Sequence, residues 1–280
     1  MAALTLVLEK SKGEEPWIVE QQIFDIINSY LQPTDGPSAS QAAEQLSQLF
    51  PYHRPSSDAE KEEPASFLYE LWGLVLKIAQ QIQYQHPGQD KLVVLINTLR
   101  DLPSELKVPI WGSESRIWQD LPLLGPNLTE VAHTIGPEHD DRWVNFNAFC
   151  ARLTRDGTCD RSAHAIWDLR EALEEEPDQR EEAAKEHGKQ LDIRIPVAAN
   201  WITIAGNVLY RHSGDCGKDG ELGVASQGRL YSGQAGFSLE RWAFWKERFG
   251  AIKVNEGVAD GTKQAAEEAE IAMMKIENSS

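Results

Sequence analysis

Short polar side chains recur on otherwise apolar segments of this sequence, in a pattern that could orient a small molecule. Asn145, Phe149 and Arg152 are spaced i, i+4 and i+7, which places them on one face of a helix. An apolar pocket with a few placed polar groups is typical of small-molecule sites. Two further helical segments, 197–211 and the aromatic-rich 237–249, carry side chains that could line the same pocket. The predicted ligand-binding residues are therefore Asn145, Phe149, Arg152, Trp201, Asn207, Tyr210, Arg241 and Trp245.

The same residues have a plainer interpretation, in which they face solvent, serve helix ends or satisfy buried contacts. The stretch FSLERWAFWKERF (237–249) bears directly on the choice between a pocket and a core face, because five of its thirteen side chains are aromatic. With Ser238 as the N-cap, Trp242 and Trp245 fall on one helical face. Burial statistics favour a core face, and the alternative is a pocket lined by one Trp and the Arg241 guanidinium.

Acid–base transfer is a second kind of chemistry that the sequence could support. Asp168 follows His164 by four residues, and the same predicted helix carries Trp167 and Glu171. A His–acid pair at this spacing can meet on a helix surface and act as a general base. Such pairs are also common on exposed helices, so both interpretations stay open.

Motifs of other catalytic classes do not occur in the sequence. There is no G-x-S-x-G elbow, and neither loop cysteine has a predictable His partner. The run EHDD at 138–141 is rich in metal-binding atoms but matches no ligand spacing. The dipeptide GK at 217–218 is followed by Asp rather than the Ser or Thr of a phosphate-binding loop. We expect no metal and no cofactor, and whether the protein is an enzyme stays open.

Composition excludes several classes of partner. The chain has 280 residues and a net charge of −17, without a cluster of Lys and Arg. Because proteins that follow phosphates need a basic face, we expect neither nucleic-acid binding nor docking on a membrane. Three cysteines do not make a disulfide framework and suit a reducing compartment. No signal-peptide pattern and no apolar stretch near the ~18 residues of a membrane span occur, so we expect a cytoplasmic protein.

Helical periodicity dominates the chain and predicts an all-α fold, an irregular multi-helix bundle of about ten helices in a single compact domain over 1–280. No strand pattern competes. One helix is expected to begin at Pro196, and a capping box to begin at Ser38. Eight Asp or Glu against three Lys or Arg make 171–190 a predicted solvated face or linker, and we expect a sub-domain boundary near 174–190. Segments expected to be mobile are 33–40, 54–64 and the glycine-rich loop 213–236, which could close over a site.

Several segments, taken in order, carry a family resemblance: LWGLVLKIAQQIQYQHPGQDKLVVLINTLRDLP, RWVNFNAFCARLT, AIWDLREALEE, NWITIAGNVLYRH and FSLERWAFWKERF. The chain resembles a fungal family known as domain of unknown function 3632, from about Leu71 to the C-terminal helix. The resemblance implies a soluble, intracellular fungal protein, and some members of such families lie near gene clusters for specialised metabolites. Its motifs are aromatic and helical, and it supplies no catalytic residue.

Two functions from different classes follow from these observations. The first is a protein that binds, and as an enzyme would transform, an apolar metabolite in an aromatic-lined helical cavity without a cofactor. The second is a protein-interaction or structural module, which the lack of a catalytic motif favours. A closed cavity around Arg241 or Asn207 would favour the first, and an exposed apolar groove would favour the second.

Overall fold

The structure is a computed structural model that describes residues 3–9, 18–34, 36–55, 62–136, 140–175, 181–214 and 226–279. These residues form ten α-helices and one two-stranded hairpin, which confirms the predicted all-α class and the predicted number of helices. The contacts divide the chain into two compact units, 1–149 and 150–280. The division falls inside a helix, and the predicted single domain and the boundary near 174–190 stay predictions.

Unit 1 contains five complete helices, the first part of a sixth, and the hairpin. Its elements are α1 (Ile18–Leu31), α2 (Ala39–Gln48), a 3₁₀ helix (Pro51–His53), α3 (Pro64–Gln81), α4 (Gly88–Arg100), β1 (Lys107–Ile110), β2 (Ser113–Arg116), α5 (Leu124–Thr134) and the start of α6 (Asp140–Arg155). Helix α2 begins with the predicted capping box, because Ser38 Oγ accepts from Gln41 N and Gln41 Oε1 accepts from Ser38 N. Local sequence chemistry therefore fixes this helix start.

The core of unit 1 forms around α3, whose apolar residues extend over more than one face. Trp72 and Trp118 are fully buried, and each indole N–H has an acceptor: Pro122 O at 2.8 Å and Ser47 Oγ at 3.0 Å, respectively. A buried indole without an acceptor would leave a desolvated donor unpaired. These two bonds remove that energetic cost, so the rings can be buried in the core.

The hairpin is a departure from the sequence-based expectation that no strands occur. Lys107 pairs with Arg116 and Ile110 with Ser113 in an antiparallel register, joined by a two-residue turn. That turn places Trp111 at φ 49° and Gly112 at φ 83°. Two successive positive φ values are typical of the two-residue turn that joins twisted hairpins. The usual sequence of that turn is Asn-Gly, so Trp-Gly at this position does not indicate a hairpin.

Unit 2 contains the end of α6, then α7 (Ser162–Leu173), α8 (Glu181–Gly214), α9 (Leu239–Ile252) and α10 (Asp260–Ser279). Helix α9 begins at the predicted N-cap, where Ser238 Oγ accepts from Arg241 N at 3.0 Å. Trp242 and Trp245 on this helix are at most 1% exposed, so the predicted core face is confirmed.

Helix α8 differs from its predicted start, because it runs through Pro196 rather than beginning there. A proline inside a helix removes one backbone hydrogen bond and crowds the preceding turn. The flanking side chains of Leu191, Ile195 and Val197 are buried, and their packing outweighs that loss. No helix within the described ranges is both long enough and apolar enough to span a membrane.

Candidate functional site

Three acidic residues of unit 2 follow one another along α7 at intervals of three: Asp168, Glu171 and Glu174. Glu174 is the C-cap of the helix. Residues three apart lie on neighbouring positions of a helical surface, so the three carboxylates form one acidic edge. Side chains of α8 bind Asp168 and Glu171, side chains of α9 bind Glu174, and together the three carboxylates make the candidate site.

Asp168 is held by Trp201 from α8, whose Nε1–H donates to Oδ2 at 2.7 Å. Burial raises the pKa of Asp168 to about 7, while the Trp201 hydrogen bond lowers it, the Glu171 charge raises it and the Arg194 charge lowers it. Burial dominates because removing a carboxylate from water disfavours its charged form. Asp168 keeps partial exposure. Such a carboxyl exchanges protons near neutral pH.

The two oxygens of Asp168 are used differently. Oδ2 is occupied by Trp201, whereas no side chain or backbone group among the described residues makes a hydrogen bond to Oδ1. On the same helix, the His164 ring lies against Trp167 with centroids 5.2 Å apart, and Arg161 Nη2 is 2.8 Å from His164 Nε2. Asp168 therefore shares its helix with two aromatic rings, and we call it the proton-active carboxyl because its pKa is about 7.

Glu171 occupies the middle of the acidic edge and connects two arginines. It accepts from Arg194 Nη1 at 2.9 Å and from Arg170 Nη2 at 3.1 Å. Arg170 extends the chain of contacts by donating from Nη1 to Ser226 Oγ at 2.8 Å. The side chain of Glu171 is 40% exposed, so these ion pairs lie at the surface and contribute little to stability.

Glu174 makes the most enclosed contacts of the three. Its Oε1 accepts from Arg241 Nε and Trp245 Nε1, both at 2.7 Å. Its Oε2 accepts from Arg241 Nη2 at 3.0 Å and from the backbone N–H of Gly228 at 2.7 Å. Both charged side chains are 0% exposed. The pair is therefore a two-point, fully buried ion pair with four donors on one carboxylate, which we call the clamp (Glu174, Arg241, Trp245 and Gly228).

The clamp also binds residues 226–236, which are the C-terminal part of the glycine-rich segment 213–236. Arg241 donates to Ser226 O at 2.9 Å and to Gly236 O at 3.1 Å, and Leu230 N donates to Glu174 O at 2.8 Å. Gly228 approaches so closely that an added Cβ would lie 2.5 Å from the Cβ of Glu174. Only glycine fits at this contact. The preceding residues of the predicted mobile loop, 215–225, lie outside the described residues.

The structure brings three of the eight predicted site residues into this network: Trp201, Arg241 and Trp245. Tyr210 packs edge-on against Trp242 with centroids 5.1 Å apart, and Asn207 is exposed. Arg152 is buried in unit 2. The ligand-binding role of all eight stays a prediction.

The remaining two predicted residues belong to unit 1. Phe149 is fully buried, and Asn145 donates to Gln80 O at 2.8 Å. The backbone carbonyl of Asn145 accepts from the side chain of Gln89. Both residues thus have partners or burial within unit 1, and their ligand-binding role stays a prediction.

The sequence does not reveal Glu174, because its pattern predicts a solvated acidic stretch over 171–190. Its neighbours in sequence are also acidic, so composition does not distinguish it. Its burial is produced by groups 54 to 71 residues away, which a local pattern cannot contain. The spacing to His164 predicts Asp168 as an acid–base candidate, but it does not predict the indole partner Trp201. Among the described residues, no group of three His, Cys, Asp or Glu side chains is arranged to hold a metal ion.

These observations define a mainly helical protein with a buried carboxylate–arginine clamp on the helix that carries the proton-active carboxyl. The chain belongs to the family described as protein of unknown function DUF3632, whose model matches residues 72–249, more than half of the chain. This confirms the resemblance seen in the sequence. Every member of the clamp and of the acidic edge lies within the matched range. No curated protein and no solved structure matches the chain.

Proposed function

We propose that the protein binds an apolar small-molecule metabolite at the Asp168–Trp201 pair of unit 2, through a polar group on the metabolite that bonds Asp168 Oδ1. The observation that carries this proposal is the unequal use of the Asp168 oxygens, with Oδ2 fixed by Trp201 at 2.7 Å and Oδ1 without a hydrogen bond from any described residue. A fixed carboxyl with one open oxygen can either donate or accept a hydrogen bond as its protonation changes.

The surroundings of Asp168 support an apolar ligand. Trp167 and the His164 ring are partly exposed on the same helix, and aromatic faces bind apolar groups with little loss of conformational entropy. The clamp contributes indirectly, because it holds the end of α7 and residues 226–236 in one arrangement. Pre-organisation of this kind lowers the entropic cost of binding. In this proposal Arg241 and Trp245 position the site rather than contact the metabolite.

Proton transfer is the chemistry that this site would add to binding. A carboxyl with a pKa of about 7 is populated in both protonation states near neutral pH, as a general acid or base requires. No cofactor enters this proposal. A cytoplasmic location, a fungal source and a role in specialised metabolism belong to it as well, on the resemblance and composition described above.

The experiment is native mass spectrometry of the purified protein after incubation with fungal metabolite extracts, with the extract profiled in parallel. We expect one compound to be retained by the wild-type protein and lost in Asp168→Asn, which keeps the shape but not the carboxyl. Asp156→Asn is the matched control, because Asp156 is exposed in the same unit and pairs with its neighbour Arg155. We expect it to retain the compound.

The possible outcomes separate the alternatives. Consumption of the compound over time, abolished in Asp168→Asn, identifies an enzyme. Retention without change identifies a binder. Equal retention by Asp168→Asn and the wild type removes Asp168 from the site. No retained or consumed compound across extracts from several growth conditions favours the protein-interaction alternative.

A further inference from the structure

Residues 3–9 of unit 1 form an extended segment, which we call the arm. Its exposure alternates along the chain, with Leu4, Leu6 and Leu8 turned toward the unit and Thr5 and Val7 toward solvent. Alternation with period two is the pattern of an extended chain that lies on a surface with one side covered. The arm belongs to no helix and no strand.

The central contact of the arm is made to its backbone. Gln81, the last residue of α3, accepts from Val7 N at 2.8 Å through Oε1 and donates to Val7 O at 2.9 Å through Nε2. One side-chain amide thus satisfies both polar groups of one peptide residue, as a neighbouring strand would. This contact recognises the extended conformation and does not depend on the side chain at position 7.

Contacts near both ends fix the register of the arm. Gln32 Nε2 donates to Leu4 O at 3.2 Å, and the Leu4 side chain lies against Gly88, where an added Cβ would approach it to 3.0 Å. At the other end, Glu9 forms an ion pair with Arg142 of α6. The surface under the arm therefore carries a glycine beside Leu4, an amide that bonds the backbone of Val7 and a cation that pairs with Glu9, in a fixed order.

The arm is held weakly compared with the helices beneath it. Val7 is 61% exposed, and both of its bonds to Gln81 lie at the solvent-accessible surface. A segment with few buried contacts and exposed hydrogen bonds opens at a small fraction of the global unfolding free energy. The residues that it contacts lie on α3, α4 and α6 and directly after α1, so this surface would persist when the arm leaves.

We infer that this surface is a peptide-binding groove, which the arm fills in cis and which accepts an extended segment of a partner protein. The ligand class is set by the arm itself: apolar residues at alternate positions, followed by a carboxylate that meets Arg142. The groove lies wholly in unit 1, so the inference is independent of the metabolite site proposed in unit 2.

The test uses a full-length variant with a released arm, Leu4→Asp/Leu6→Asp, and a fluorescent peptide of sequence ALTLVLEK. We expect saturable binding to the variant by fluorescence anisotropy. Binding to the wild-type protein should be at least about tenfold weaker, because its own arm competes at millimolar effective concentration. Circular dichroism of each variant checks that the helices are intact.

Two matched comparisons identify the groove. Adding Gln81→Leu to the released-arm variant should weaken peptide binding about tenfold, since two hydrogen bonds are lost. Gln83→Leu in the same background should not, because Gln83 is an exposed glutamine two residues away, and the two bonds to Val7 come from Gln81. A peptide that is N-methylated at the position of Val7 should lose affinity for the released-arm variant but not for the same variant with Gln81→Leu added.

Three results would overturn the inference. The first is no saturable binding of the peptide to a folded released-arm variant. The second is equal loss of binding in the Gln81→Leu and Gln83→Leu backgrounds. The third is concentration-dependent dimerisation of the wild-type protein, abolished by Leu4→Asp/Leu6→Asp, which would make the arm of a second copy the occupant in place of a partner protein.

Discussion

Replacing Glu174 by Gln is the most direct probe of how unit 2 is held together. The substitution keeps the size of the side chain but removes the charge that neutralises Arg241, which is 0% exposed. A carboxylate accepts four hydrogen bonds here, and a Gln amide keeps one acceptor oxygen and turns an N–H₂ group toward the remaining donors. Breaking one side of a buried ion pair costs about 3–5 kcal/mol, and we expect Glu174→Gln to lower the free energy of unfolding by that amount.

The matched control is Glu171→Gln, the same substitution one turn earlier on α7. Glu171 also pairs with arginines, but its side chain is 40% exposed, so we expect a loss below about 1 kcal/mol. Urea unfolding monitored by circular dichroism and by tryptophan fluorescence measures both values and tests whether the transition is two-state. If Glu174→Gln is no more destabilising than Glu171→Gln, the clamp does not have the energetic role assigned to it. A double replacement, Glu174→Leu/Arg241→Met, should recover part of the loss, because it leaves no buried charge unpaired.

Three further predictions concern the same unit. Trp245→Ala should lower the free energy of unfolding by about 3–5 kcal/mol, because the ring is fully buried; a thermal melt like that of the wild type would show that Trp245 is not a core residue. The folded-state pKa of Asp168 is about 7, above its usual value near 4. Between these values the folded state holds a proton that the unfolded state has lost, so the free energy of unfolding should fall as pH rises from about 4 to about 7. Asp168→Asn should flatten that fall in urea titrations at several pH values, and an unchanged slope would exclude Asp168 as its source. Gly228→Ala should cost about 1–3 kcal/mol, because its Cβ would lie 2.5 Å from the Cβ of Glu174, whereas Gly261→Ala, which meets no atom within 4 Å, should be nearly neutral in the same melts.

The features that could be predicted from the sequence are those that nearby residues determine. The capping box at Ser38 and the cap at Ser238 are complete within four residues, and both occur as predicted. The aromatic face of α9 also follows from spacing alone, because a helix with large apolar residues on one face has to bury that face. These features needed no knowledge of the rest of the chain.

The features that could not be predicted depend on distant partners or on packing that overrides a local rule. Pro196 is a helix breaker by propensity, yet buried neighbours on both sides keep α8 continuous. The hairpin turn places Trp111 at a positive φ, which bulky residues rarely adopt. The sequence therefore does not indicate a turn at this position. Glu174 belongs to an acidic run in sequence and to the core in space.

The clamp and the proton-active carboxyl are connected through α7, and that connection has a measurable consequence. Asp168 lies six residues before Glu174, so the helix that presents its open oxygen is fixed at one end by a carboxylate with four donors. An apolar core could supply comparable stability, but it would not select one orientation of the helix end as directional hydrogen bonds do. If orientation is the purpose of the clamp, Glu174→Leu/Arg241→Met should stay folded while the environment of Asp168 changes. A ¹³C NMR titration of the Asp168 carboxyl would then show a shifted midpoint in the double variant, and an unchanged midpoint would mean that the clamp acts on stability alone.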